Sequence, residues 1–323
     1  MFKTLLSAYI LLLTTSIIWG LGGPILKYTL GYIHPFNFLF WRFTLTSLIA
    51  VPIFIWYVKR NPIKTEWLPK MILAGLLATT INLSFVISGF ARTSAIEASL
   101  LISVSPLFVV IGGCVFLKEK LNNRARLGVA FALMGALISA TGPLIFGNNR
   151  SNSESFLGNI FILCGGLVWM IFVLLSKRWE KEGIKPFHIA SMSFFVGPLT
   201  FLPMAILEGG KLPSITSIPQ QAYFGMFYMA IFSSIVAYTA YETGLSKIQA
   251  SKADVFQYLQ SVWAAPLALV WLGETLPSTY LIGVLFVITG LILAEFKPGA
   301  IKGIGLLATL NLPLRGHHLA NHK

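Results

Sequence analysis

Long apolar runs separated by short polar connections make up most of this chain. A helix crossing about 30 Å of hydrocarbon needs about 20 mostly apolar residues. Ten stretches meet that requirement, near 5–27, 36–58, 68–91, 94–117, 124–146, 156–178, 187–207, 222–246, 250–272 and 279–296. The first is longer than the hydrophobic region of a secretion signal, roughly 7–15 residues, and no small-x-small cleavage site follows it, so it is predicted to stay as the first helix. The longest connection, GNNRSNSES at 147–155, is polar and falls near the middle of the chain.

Composition agrees with that pattern. Of 323 residues, 56% are hydrophobic and 11% charged, against about 25% charged in ordinary soluble domains. Lipid is the solvent these numbers imply. The formal charge of +13 invites a nucleic-acid reading, but the basic residues lie between apolar runs rather than along one face. Positive loops stay in the cytoplasm, and Lys and Arg divide nineteen to four between the two sets of connections, with Arg42 alone inside a span. Both termini are therefore predicted to be cytoplasmic. Cys114 and Cys164 lie inside apolar runs, where they read as small packing residues rather than as a disulfide or metal pair.

The two halves repeat. Trp19 and Trp169 are each followed eight residues later by a lysine, Lys27 and Lys177, and Pro35 and Pro186 open the next helix. LKEKL at 117–121 matches LGETL at 272–276 at an offset of 155, shared by Ala95 with Ala250, Gly128 with Gly283 and Gly135 with Gly290. Five helices per half is an odd number, so the second half enters the membrane inverted, the geometry of alternating access. The expected fold is an all-α integral membrane protein of ten transmembrane helices as two inverted five-helix repeats. Residues 1–147 form the first repeat, 148–155 a linker, 156–296 the second repeat and 297–323 a basic cytoplasmic tail, resting on the anionic inner leaflet.

Trp19-Gly20 in the first helix, the arginine of FWRF at Arg42 and the paired L-x-E-x-L together resemble the EamA-type transporters of the drug/metabolite transporter superfamily. The resemblance spans about residues 5–296. It implies a ten-helix inverted-repeat carrier of the inner membrane that exports amino acids, related metabolites or toxic compounds and needs no nucleotide. One motif departs from the family: SVSPLF at 103–108 has Ser105 where Glu is common, and the second half reads Gln260-Ser261-Val262, with neither the acid nor the proline.

An ionisable side chain within a span costs about 2.5–3.5 kcal/mol on insertion scales, which marks those present as candidates. Arg42 and Glu97 are expected to pair as an outer gate or clasp, and Glu242, Lys252 and Asp254 to form a similar group near the cytoplasmic side, serving gating or proton coupling; the other reading, which suits Glu97 and Lys252, is that they snorkel to the interface and set helix depth. Polar and aromatic groups predicted along the solute pathway are Trp19, Asn82, Ser103, Trp169, Tyr238, Tyr241, Gln257, Tyr258 and Gln260. On helix 9, Asp254, Gln257, Tyr258 and Ser261 fall at 3–4-residue spacing, hence on one face. Gly20, Gly22, Gly23 and Pro24 are read as either an interruption of helix 1 or a simple kink in it.

No P-loop, HExxH or GxSxG motif appears in the sequence, so no enzyme activity and no cofactor or metal is expected. The reading is a secondary transporter exporting a small metabolite, amino acid or drug across the cytoplasmic membrane. Its partners are that solute and the lipid bilayer, not nucleic acid, and a homodimer is compatible with it. The alternatives are a lipid-linked sugar or phospholipid flippase of the same architecture and a non-transporting membrane subunit.

Overall fold

The computed structural model describes residues 2–118, 122–146, 153–210, 214–274 and 278–295. The tail from 297 with its histidines, the connection 147–152, Glu119 with Lys120, and Lys211 lie outside the described residues. In chain order the helices are α1 (Phe2–Leu30), α2 (Pro35–Arg60), α3 (Thr65–Arg92), α4 (Ala95–Phe116) and α5 (Asn123–Phe146). They continue with α6 (Ser153–Lys181), α7 (Pro186–Gly209), α8 (Gln220–Lys247), α9 (Ala250–Leu272) and α10 (Ser278–Glu295). Among the described residues, eight of these, α1–α4 and α6–α9, are long and apolar enough to cross a membrane. Among the described residues no strand occurs.

Local chemistry explains several helix ends. Pro35 and Pro186 stand in the first turns of α2 and α7, where a missing N–H costs nothing. Gly273 ends α9 with φ +66°, a left-handed conformation open to glycine. Four helices are irregular inside. A π segment interrupts α3 at Leu76–Ile81 and α8 at Met229–Ala237. α4 breaks after Ile102 and resumes at Ser105, with Pro106 in its new first turn. α9 tightens into a 3₁₀ turn at Phe256–Tyr258. A shift of 155 residues carries each irregularity of the first half onto one in the second. α1, by contrast, runs unbroken with Pro24 inside it, which corrects the expected interruption. Its glycines provide close approach instead: a Cβ at Gly20 would sit 2.7 Å from the Gln260 carbonyl oxygen.

The helix pairings carry the same symmetry. α2 packs on α7 and α5 on α10; α3 packs on α6 as α1 does on α8; α1 packs on α9 as α4 does on α6; and α3 packs on α7 as α2 does on α8. Exchanging the halves leaves this set unchanged. Individual bonds follow suit. The Asn82 amide donates to the Gly165 carbonyl (2.8 Å), and the Thr15 hydroxyl donates to the Ala237 carbonyl (3.3 Å). The Lys27 ammonium donates to the carbonyls of Phe90 (2.9 Å) and Thr93 (2.5 Å), and that of Lys177 to the Leu245 carbonyl.

Two aromatic-rich cores fill the interior, one around Phe38, Phe43, Phe90 and Phe201 toward Lys27, the other around Phe172, Tyr241 and Leu245 toward Lys177. Outward positions are apolar too, with Leu199 77%, Leu207 85% and Val270 88% exposed. Soluble monomers rarely show such a surface, and lipid is the solvent that suits it. Cys114 is exposed on this surface and Cys164 half-buried, both as free thiols.

The α5–α10 crossing is the tightest to backbone: a Cβ at Gly290 would lie 2.4 Å from the Gly128 carbonyl oxygen and 2.5 Å from the Ala132 nitrogen. Close approach through small residues holds helices together in lipid. Gly290→Ala is therefore expected to cost about 1–3 kcal/mol by overpacking, seen as a lower unfolding midpoint of the purified protein. Gly209→Ala, where nothing lies within 4 Å, is the neutral control.

Candidate functional site

A cavity of about 880 Å³ opens among α1, α2, α3, α4, α6, α8 and α9. Apolar walls come from Leu26, Leu39, Val86, Ile87, Phe90 and Ile162. Trp19, Trp169 and Tyr238 form an aromatic group on its lining, the Trp rings 5.5 Å apart and edge-on at 85°, with Tyr238 5.2 Å from Trp19. Tyr241 packs behind them, 5.2 Å from Trp169. Each tryptophan comes from the same register of a different half, and each indole N–H is anchored: Trp19 donates to the Ser233 carbonyl (2.9 Å), and Trp169 to Asp254 Oδ1 (3.3 Å). The Tyr238 hydroxyl donates to the Ala78 carbonyl (3.0 Å).

Two opposite charges line the cavity. Arg42, only 3% exposed, donates through Nε to Ser234 Oγ (3.1 Å) and through Nη2 to Ser233 Oγ (3.3 Å), both on the π segment of α8. Among the described residues no carboxylate pairs with it. Asp254, fully buried, takes the Tyr241 hydroxyl on Oδ1 (2.7 Å), and its Oδ2 has no protein partner. Gln260 donates to Gln257 Oε1, which leaves the Gln257 amide nitrogen without a partner. Such unmet groups cost free energy when dry and are where a polar ligand gains most. An anion can meet Arg42, and a cation or donor can meet Asp254, with an apolar body between.

Of the residues singled out from sequence, Trp19, Arg42, Asn82, Trp169, Tyr238, Asp254, Gln257 and Gln260 line this cavity. Others do not. Ser103 donates to the Ser99 carbonyl of its own helix, and Tyr258 is buried in a separate cluster with Val104 and Val129. Arg42 and Glu97 do not meet, because the π segment brings two serines to the guanidinium while Glu97 accepts from the Thr93 hydroxyl at the start of α4. The expected trio of Glu242, Lys252 and Asp254 is also not formed. Tyr241 bonds Asp254, Glu242 bonds Ser176 (2.6 Å), and Lys252 joins neither. Asp254 belongs to the cavity rather than to a mouth. Ser105, Ser233 and Met229 also line the cavity and were missed. Ser105 had a signal in the break before Pro106, whereas Ser233 depends on the π segment, which no motif announces.

A second buried polar cluster lies toward the Lys177 end. Ser176, Lys177 and Glu180 of α6 face Glu242 of α8. Just beyond the span Glu182 is exposed, and its hydrogen bond from Lys70, with Arg178 near, holds its carboxyl below the ordinary carboxylate range. Exposed pairs like that contribute little. Among the described residues no group of three or more His, Cys, Asp or Glu side chains converges.

The chain matches the model of the EamA-like transporter family twice, over residues 6–141 and 156–296. An uncharacterized transporter of Archaeoglobus fulgidus is 28% identical over 295 residues, 90% of this chain and 97% of that protein. Uncharacterized transporter YyaM of Bacillus subtilis is 26% identical over 292 residues, 90% of this chain and 94% of its own. A probable amino-acid metabolite efflux pump of Escherichia coli K12 is 23% identical, covering 89% of this chain and 94% of its own. One crystal structure matches over 90% of this chain and 96% of its own with TM-score 0.68 at 16% identity, a likeness of fold.

Trp19 ties α1 to α8 and supports three aromatic neighbours. Trp19→Ala is expected to lower stability by about 3–5 kcal/mol, the usual cost of emptying a large aromatic site, read as a drop in unfolding midpoint; Trp19→Phe, which keeps most ring contacts, should lose much less.

Proposed function

The chain belongs to the EamA-like transporter family, and from that premise we propose that it is a secondary carrier exporting a small metabolite, amino acid or drug across the cytoplasmic membrane by alternating access. In this reading α5 and α10 are the fifth and tenth spans, the two halves are inverted repeats, and both termini face the cytoplasm, of a bacterial-type inner membrane. The double family match and the exchange symmetry of the helix pairings support the inverted repeat. The observation that carries the proposal is the charged cavity itself. Arg42 from one half and Asp254 from the other line a single space walled by aromatics; Asp254 keeps an unmet carboxylate oxygen, and among the described residues Arg42 has hydroxyl partners but no carboxylate. A solute is then gripped by both halves at once, which is what a rocking carrier needs. The efflux role named for the Escherichia coli relative agrees with the direction.

The lining divides by role. Trp19, Asn82, Trp169, Tyr238, Gln257 and Gln260 contact solute, and Arg42 and Asp254 orient it. Lys252 and Glu97 set the depth and closure of helix ends.

The test is metabolite profiling, inside and outside cells that lack or overproduce the protein. The expected result is one compound class that accumulates inside on deletion and falls on overproduction. Arg42→Gln and Asp254→Asn each remove a charge-assisted contact of about 1.5–3 kcal/mol, so export of that class should fall about tenfold or more. A stoichiometric partner and no flux from the purified chain would instead identify a membrane subunit. Reporter fusions at both ends should read as cytoplasmic.

A further inference from the structure

The lysines at the two ends of the molecule are repeat-related, and only one sits among acids that are already satisfied. At the Lys27 end, Lys27 donates to the Phe90 and Thr93 carbonyls. The nearby acids rest on fixed donors. Glu274, turned inward by the left-handed Gly273, accepts the Ala95 and Ile96 amides (2.9 and 3.0 Å) at the start of α4, and Glu97 accepts the Thr93 hydroxyl. A helix N-terminus is a natural seat for such an anion.

The Lys177 end lacks that arrangement. Lys177 donates to the Leu245 carbonyl and lies 3.9 Å from Glu180 Oε2, beyond hydrogen-bond reach, with the two side chains 9% and 6% exposed. Neither oxygen of Glu180 accepts a hydrogen bond. Glu242, 0% exposed, accepts Ser176 on Oε2 but nothing on Oε1. Two carboxylates thus face one ammonium, and three buried acceptor atoms lack donors. The other titratable groups near them do not fill the gap: Tyr241 of α8 gives its hydroxyl to Asp254 of α9, and Lys70 of α3 is engaged by Glu182. A net negative charge held dry is strongly unfavourable. A metal ion does not suit two acids already facing an ammonium. One proton does: it turns one carboxylate into a carboxylic acid, supplies the missing donor and makes the cluster neutral.

We propose that Glu180 and Glu242 share a bound proton, a site separate from the solute cavity, and that opening the Lys177 end to water releases it. Water solvates both carboxylates and removes the reason for the proton to stay. Closure of that end takes the proton up again from the same side. The pH on the side that the Lys177 end faces therefore sets how readily that end opens; this consequence rests on the carrier reading, while the proton site itself does not.

Infrared spectroscopy of the full chain in lipid nanodiscs at neutral pH tests the site through the carbonyl band of protonated carboxylic acids. Asp254 is common to all variants and cancels in differences. Because the remaining acid has Lys177 as partner, Glu180→Gln and Glu242→Gln should each abolish the cluster's band, and the double variant should remove no more. Lys177→Met should move the band the other way, roughly doubling it, as a second proton enters. An unchanged band in both glutamine variants, or no increase in Lys177→Met, overturns the proposal. For this control, flux of the exported solute in vesicles should change with the pH on the Lys177 side, the other side held constant, in wild type and not in Glu180→Gln. A site that releases its proton while flux ignores the pH of that side overturns the control and leaves the carrier reading standing.

Discussion

Charge inside hydrocarbon has to be solvated by the protein itself, since bulk water does not reach it and each unmet group costs several kcal/mol. That constraint organises the interior. Arg42 is solvated by serine hydroxyls, Lys27 and Lys177 by carbonyls at helix ends, Glu274 by backbone amides and Asp254 by a phenol and an indole. The irregular backbone at Leu76–Ile81, Met229–Ala237 and Phe256–Tyr258 lies largely buried within the bundle. Its freed groups meet side chains there, as when the Ser234 hydroxyl bonds the Met229 carbonyl (2.9 Å). Arg42 depends on that segment, because only the π geometry brings Ser233 and Ser234 to it together.

The cavity follows from the same economy of partners. Its walls are apolar where nothing needs solvation, and its polar groups are those that the fold leaves incompletely met. Each half contributes an indole at the same register, so the aromatic group straddles the junction between them. In the proposed carrier, a solute bound there would complete the interior and draw on both halves.

Much of this was legible in the chain. Apolar runs of spanning length gave the helices, and the spacing of Trp19, Lys27, Trp169 and Lys177 gave the duplication before any coordinates. Eight of the fourteen named site residues line the cavity. The failures share a cause. Arg42 suggests an acid because charge in lipid calls for a counter-ion, but hydroxyls of α8, which packs directly on α2 from the other half, serve it. Glu180 was hidden in SKRWEKE, which reads as a solvated run past a span; its inward face appears only once α6 and α8 are seen to pack. The glycines of α1 read as a helix break, whereas Gly20 lets α9 approach, Gly22 faces Met229 of α8 and Gly23 faces Ser99 of α4, and the breaks fall where hydroxyls and Pro106 redirect backbone bonds.

Two kinds of bond cross between the halves, charged ones at Arg42 with Ser233 and Ser234, at Glu274 with the Ala95 and Ile96 amides and at Lys70 with Glu182, and neutral ones. Thr15, Thr46, Ser47, Thr79, Asn82 and Tyr238 each donate across the junction to a carbonyl, neutral bonds worth about 0.5–1.5 kcal/mol apiece. The lysine anchors stay inside each half. In the proposed carrier the neutral crossings can slip, a displaced hydroxyl finding another carbonyl one turn away, while the charged crossings at Arg42 and Glu274 act as latches.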